Sequence, residues 1–440
     1  MSVRKIIAIF VTLFLAMPTY AASIINDTEI EKTLTELISP LASAADIPDG
    51  RLNVHIVDDD DFNAFVMGGE DVYIYTGLIK QIKSPAALQA VVAHELGHTI
   101  GGHMAQMSAR MESEMKRAMM IQALGIGLMV AGGNPSLGAG VLAGASGVAQ
   151  QSMLAFSRDE ERIADDMGVD ILNRAGIDPN ALIVVFEQMR DMSDAIESRV
   201  NPNRINHPLT SERIKNAREK IAKTKITTKQ DATATNRQNA KFELVRAKLI
   251  GYLDSPKVVL TKYPYSNKTD AAIYARAIAN MRGGDLDTAR VGTRTLISRN
   301  PNSPYYYELL GDIEFQFGHY DDSVSAYEKA LELLPNAPQI QTALAIVLTE
   351  RNKPDDKTRA AELARTAILV EPTPLAYWTL AKTFDDGDGR ADWAMAEYYN
   401  LNNDEKNAKT YAKRARKKLK SSTPEYIKSG DILNKKWSPK

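Results

Sequence analysis

Between Ser23 and Ala45 the apolar residues Ile30, Leu34, Leu37, Ile38 and Leu41 fall three and four positions apart, which predicts an amphipathic helix. The period then changes. Arg51–Val57 alternates, with Leu52, Val54 and Ile56 on one side, and predicts a half-buried strand. Asn63–Val66 and Val72–Tyr75 predict two more short strands around the turn Met67-Gly68-Gly69-Glu70. Ser84-Pro85 then opens a helix through Ala86, Leu88, Val91 and Val92. Further on, Ala118–Ala149 is apolar and Gly-rich but broken at Asn134-Pro135. Each half is shorter than the ~20 residues of a membrane span, so it reads as a buried helical hairpin. Met104, Met107, Met111, Met115 and Met119 recur at three- and four-residue steps ahead of it, a stripe that suits core packing.

The second half has a longer rhythm. Residues 222–240 are polar, nearly without large apolar side chains, and read as a linker between domains 23–221 and 241–440. Beyond it, Gly284 and Gly318 stand 34 residues apart, as do Pro301 and Pro335. Ala277, Ala289, Ala330, Ala360 and Ala367 recur at matching offsets, with an insertion around Asn352–Lys357 and a less regular last unit holding Ala396, Ala408 and Ala415. A 34-residue period with small residues where helices cross resembles tetratricopeptide repeats, an all-α solenoid that presents a groove to protein partners. The expected fold is therefore an α+β domain, mostly helical with a small sheet, followed by that solenoid.

Residues 1–22 pair basic Arg4 and Lys5 with an apolar core, Ile6–Met17, and end in small residues. This is the layout of a cleavable signal peptide and implies export. A net charge of -1 over 440 residues gives no sign of nucleic-acid binding. The chain has no Cys, so thiol nucleophiles, disulfides and Cys-ligated metals are excluded, and a metal site must use His and carboxylates. One local charge excess stands out: residues 406–440 carry 12 Lys and Arg against Glu425 and Asp431. That run suits either a solvated outer face or a peripheral contact with an anionic membrane or acidic partner. Asp58–Asp61 reads as a solvated turn rather than a calcium loop.

With only six His in the chain, His94-Glu95-Leu96-Gly97-His98 carries the chemistry. His at i and i+4 lie on one helical face, about 6 Å apart, and can share one zinc ion. Glu95, beside the first ligand, can activate water and pass its proton to a leaving amine. A His six positions after His98 is a known third-ligand pattern, but Met104 stands there. His103, five after His98, points roughly opposite to His94 on a continuing helix and reads as a structural hydrogen-bonding residue. Downstream, Glu161 and Asp165 share a helical face, one able to bind metal and the other to orient a ligand His. By spacing alone Glu160 or Asp166 competes with them.

The set HELGHxxxxH with Ser157-Arg158…Glu161…Ala164-Asp165 resembles the gluzincin peptidases of the HtpX and CAAX-prenyl-endopeptidase type. The strand pair around Asn63-Ala64-Phe65 and Val72–Leu78 belongs to the same resemblance, which spans residues 50–215. It implies a zinc metalloendopeptidase with one Zn2+ held by His94, His98 and Glu161, Asp165 behind a ligand, and Glu95 as general base. It also matches His207-Pro208 and Arg213 to a family element placed over the zinc, in contact with substrate or transition state. In family members that join this domain to C-terminal repeats, the equivalent of His207 is also implicated as a fourth, latency-keeping ligand. Those members are periplasmic. Their repeats contact the outer-membrane barrel-assembly machinery, and the peptidase removes stalled or misfolded outer-membrane proteins. An unfolded substrate is expected to add a strand near Val72–Tyr75. The competing expectation is a repeat-domain chaperone or scaffold for outer-membrane protein assembly with minor proteolysis.

Overall fold

The computed structural model describes residues 23–48, 50–103, 106, 158–196, 207, 209–226 and 232–437. The leader-like residues 1–22, the apolar stretch 118–149 and the Met stripe lie outside them. The chain divides into two compact units, one holding residues up to Asn26 with Ile30–Phe242, the other Asp27–Glu29 with Glu243–Lys440.

In the first unit β1 (Ser23–Ile25), β2 (Asn53–Asp58), β3 (Ala64–Met67) and β4 (Asp71–Tyr75) form one sheet in the order β1-β2-β4-β3. β1 runs antiparallel to β2, β2 parallel to β4, and β3 antiparallel to β4. Two expectations change. Ser23–Ile25 opens the fold as a strand, and the helix begins only at Thr28. The strand at the sheet's end is β3 rather than β4, which is hydrogen-bonded on both sides. One sheet face buries Ile56, Ala64, Val66, Val72 and Ile74. On the other, Tyr73 stacks with His55 and Phe65 at ring separations of 4.7 and 4.6 Å.

α1 (Thr28–Ala44) buries Ile30, Leu34, Leu37, Ile38 and Leu41, the stripe its spacing predicts. After α2 (Thr76–Gln81), Ser84 accepts a hydrogen bond from the Ala87 N–H at 3.1 Å, and Pro85 starts α3 (Pro85–Ile100). α3 is buried nearly all round, with Ala87, Leu88, Ala90, Val92, Ala93 and Leu96 fully covered. α4 (Arg158–Arg174), α5 (Asn180–Ile196) and α6 (Ser211–Lys223) complete the described part of this unit, and α4 packs directly along α3. Among the described residues no helix is long and apolar enough to cross a membrane.

Part of the stretch read as a linker is helical: residues 232–240 are the opening turns of α7 (Ala232–Leu253). They are exposed, and the apolar face begins only at Phe242, Val245 and Ala247, so a solvated helix start looks like a linker in sequence. After α8 (Pro256–Lys262) come helix pairs: α9 (Asp270–Gly283) with α10 (Leu286–Arg299), α11 (Pro304–Phe317) with α12 (Tyr320–Leu333), and α13 (Pro338–Arg351) with α14 (Asp356–Val370). α15 (Pro374–Lys382), α16 (Gly389–Leu401), α17 (Glu405–Lys418) and α18 (Pro424–Asn434) follow.

The repeat period has a backbone cause. Gly284 and Gly318 end α9 and α11 in the left-handed region, at φ 86° and 78°, which glycine enters without a Cβ penalty. Ala289, Ala330, Ala360, Ala367, Ala396, Ala408 and Ala415 are fully buried where helices cross. At Gly311 a Cβ would stand 2.8 Å from the Tyr327 ring. This solenoid of paired helices is a tetratricopeptide-type repeat domain.

Candidate metal and catalytic site

The site is assembled where α3 and α4 touch. His94 and His98 are one turn apart on α3, with their Nε2 atoms 3.2 Å from each other. Glu161 projects from the first turn of α4, its two carboxylate oxygens each 3.5 Å from one of those Nε2 atoms. His207 closes the group from the segment before α6, with Nδ1 2.8 Å from Glu161 Oε1 and 3.4 Å from His94 Nε2. One donor atom from each of His94, His98, Glu161 and His207 lies within 4.8 Å of the others. Three imidazoles and a carboxylate converging in this way fit a metal ion of the zinc type, which takes nitrogen and oxygen donors tetrahedrally.

Close helix packing makes this convergence possible. A Cβ at Gly97, between the two His, would stand 2.6 Å from the carbonyl oxygen of Ala164, which lies between Glu161 and Asp165. Across the same seam Gly168 faces the backbone of His94 at 3.3 Å. Two glycines thus let the ligand-bearing helices approach, a role that motif spacing alone does not reveal.

Around the donors is a charged shell. Asp165 Oδ1 is 2.9 Å from His94 Nδ1, the ring nitrogen turned away from the donor cluster. Arg213, on the first turn of α6, donates through Nε and Nη2 to the two Asp165 oxygens at 2.9 and 2.8 Å, and its Nη1 lies 2.7 Å from Glu161 Oε2. Arg213, expected over the substrate, is buried, clamps the two carboxylates and also lines the cavity beside Glu95 and His207. Thr210 positions it by accepting from the Arg213 N–H at 3.2 Å, and the Phe186 ring covers its guanidinium at 5.1 Å. Glu95 is buried, with Oε1 3.4 Å from His207 Nε2. Glu160, which spacing left in competition, is buried but outside the donor cluster, and the half-buried Asp166 lies outside it too.

These contacts set the protonation. Burial disfavours charge on His94, yet the Asp165 and Glu161 carboxylates more than offset it and lift the ring to about 10. His98 goes the other way. Burial, with the neighbouring His94 and His207 charges, pushes it down to about 2 and keeps it neutral. Burial would raise Asp165, but the hydrogen bonds from Arg213 and His94 hold it below the ordinary carboxylate range. Glu161 is lowered likewise, burial being outweighed by His207 and His94. Glu95 is raised by burial, only partly offset by His207, as suits a group that must carry a proton.

A cavity of about 60 Å³ opens beside Glu95, His94 and His207, and its wall includes Ala64 of β3 with Leu182, Val185 and Phe186 of α5. The Tyr75 N–H donates to the Asn63 carbonyl at 3.1 Å, so the antiparallel alternation turns the backbone groups of Ala64 and Val66 away from β4. The apolar α5 wall has no counterpart among the motifs.

Residues 28–221 match the profile of Peptidase family M48. The beta-barrel assembly-enhancing protease of Escherichia coli (strain K12), known as BepA, is 26% identical over 345 residues, 76% of this chain and 68% of its own length. The Yersinia pestis protein of the same name is 22% identical over 385 residues, 86% of this chain and 76% of its own. Among solved structures, a thermophilic TPR protein of Thermus thermophilus aligns over 44% of this chain and 91% of its own, at 16% identity and a TM-score of 0.26.

Proposed function

Because residues 28–221 match the profile of Peptidase family M48 and paired-helix repeats follow, we propose a zinc-dependent endopeptidase of the bacterial periplasm. It degrades unfolded or stalled outer-membrane barrel proteins, and its repeat unit engages those substrates or the barrel-assembly machinery. The His-His-Glu-His convergence carries the enzymatic part of this reading. The relatives' shared name, the leader-like residues 1–22 and the repeat solenoid support the setting.

His94, His98 and Glu161 would hold one zinc ion, which when bound supplies Lewis acidity at the scissile carbonyl. The chain's own residues do the rest. Glu95, its carboxyl raised by burial, accepts a proton from the attacking water as the O–C bond forms. It returns that proton to the amide nitrogen as the C–N bond breaks, so atoms and charge balance over the step. Asp165 Oδ1, 2.9 Å from His94 Nδ1, holds the ring with Nε2 aimed inward. Arg213 fixes both carboxylates. His207 takes one of two roles: a donor from Nε2 to the developing oxyanion, or a fourth ligand that holds the enzyme latent. Its 2.8 Å approach to Glu161 favours latency.

An extended substrate adds to the side of β3 that carries no strand among the described residues, where backbone pairing accepts many sequences and so suits unfolded barrel strands. Peripheral membrane contact falls to α17. Lys406, Lys413 and Lys417 are exposed there, opposite the buried Ala408, Ala412 and Ala415. Incubating the zinc-loaded protein with a urea-unfolded barrel protein and with its folded form tests the proposal. Chelator-sensitive cleavage of the unfolded form alone supports it, and an intact unfolded substrate refutes it.

A further inference from the structure

We propose that His103 is a positioning residue for the metal: it fixes the tautomer and orientation of His98. The inference rests on the metal reading of the site and deepens it. His98 points Nε2 at Glu161 and His94, so its proton must reside on Nδ1 if Nε2 is to offer a lone pair. The group at His98 Nδ1 is His103 Nδ1, 2.9 Å away, and both rings are almost fully buried, at 1% and 2% exposure. His98 Nδ1–H therefore donates to the bare Nδ1 of a neutral His103.

The chain is built to bring His103 there. On a continuing helix, a residue five after His98 would turn away from it. Instead α3 ends at Gly101, and Gly102 takes φ 69°, a left-handed turn that swings the chain back. Gly101 leaves the necessary room: a Cβ on it would stand 2.5 Å from His103 Nε2. A neutral acceptor also suits the local charge. Glu95, Glu161 and Asp165 are already buried around Arg213, and a further carboxylate behind His98 would add an ion that is costly to desolvate. His94 and His98 are thus held by different chemistry, a carboxylate for one and an imidazole for the other.

The test measures zinc affinity by chelator competition on the full-length protein, with apo-protein melting alongside. His103→Leu, which fills the space without an acceptor, should weaken zinc about 10- to 100-fold. His103→Asn, which can still accept, should recover most of that loss. Gly101→Ala removes no imidazole from the chain and suits the φ of -66° at that position. It should weaken zinc like His103→Leu, because the methyl displaces the His103 ring. A purely structural role would lower the melting temperature of both His103 variants and leave zinc affinity unchanged. If wild type binds zinc tightly and both His103→Leu and Gly101→Ala match it within twofold, the positioning role is wrong and the metal site stands. If wild type binds zinc no better than His94→Ala, the metal reading fails and takes this inference with it.

Discussion

Substituting Gly97 with Ala tests whether the site depends on the contact between α3 and α4. The added Cβ would meet Ala164 at 2.6 Å from its carbonyl oxygen, 3.0 Å from Cα and 3.2 Å from the carbonyl carbon. All three are backbone atoms, so no side chain can rotate away. Restoring an ordinary contact of ~3.5 Å requires the helices to part by nearly ~1 Å. Overpacking of this kind costs about 1–3 kcal/mol, offset by roughly 1 kcal/mol of better helix propensity, so the fold should survive with a modest loss of stability. The site is less forgiving. His94 and His98 ride on α3 and Glu161 on α4, and ligand sets tolerate only about 0.5 Å of error. Zinc affinity by chelator competition should therefore fall at least ~10-fold, and turnover with it, while the melting temperature moves little. A Gly97→Ala protein with wild-type zinc affinity would refute the claim that this seam sets the ligand geometry.

Four further outcomes are expected. Asp165→Asn should weaken zinc about 10- to 100-fold, measured by the same competition, because His94 Nδ1 loses its carboxylate and Arg213 its bidentate partner. Gly311→Ala should destabilise the repeat unit by about 1–3 kcal/mol in denaturant melts, since the Cβ would press on the buried Tyr327 ring. Burial pushes Glu308 up to about 8, with Lys248 only partly opposing, and Asp312 up to about 6, with Tyr327 partly opposing. The native state then keeps protons that the unfolded chain releases above about pH 4, so stability should fall as pH rises from about 4 toward 8. Melting temperatures of Glu308→Gln across that window should slope less steeply than wild type. Co-sedimentation with anionic vesicles should decrease for a Lys406, Lys413, Lys417 triple Glu variant, and for wild type at high salt.

Features tied to local geometry were the most legible in the sequence. The His94-Glu95…His98 spacing works because one helical turn puts both rings on one face. The Gly284/Gly318 period reflects left-handed helix ends, which few residues other than glycine accept. Order within the sheet was not legible. Alternation marks β3 and β4 as strands, but only the three-dimensional pairing shows that β4 lies inside and β3 at the end. Helical periodicity carried past Gly101 sends His103 the wrong way, because a single positive φ at Gly102 turns the chain there. Arg213 follows the same lesson. A motif names the residue, but its contacts with Asp165 and Glu161 depend on where α6 packs. The polar start of α7 shows a simpler limit: exposed helical turns and linkers share a composition.

The central claim is that Glu95 moves the proton in a metal-dependent hydrolysis of peptide bonds. Its most direct test is Glu95→Gln, assayed together for bound zinc and for cleavage of an unfolded barrel protein. The Glu95→Gln protein should keep wild-type zinc content while its cleavage falls by about two to four orders of magnitude. Full zinc occupancy with undiminished cleavage would contradict it.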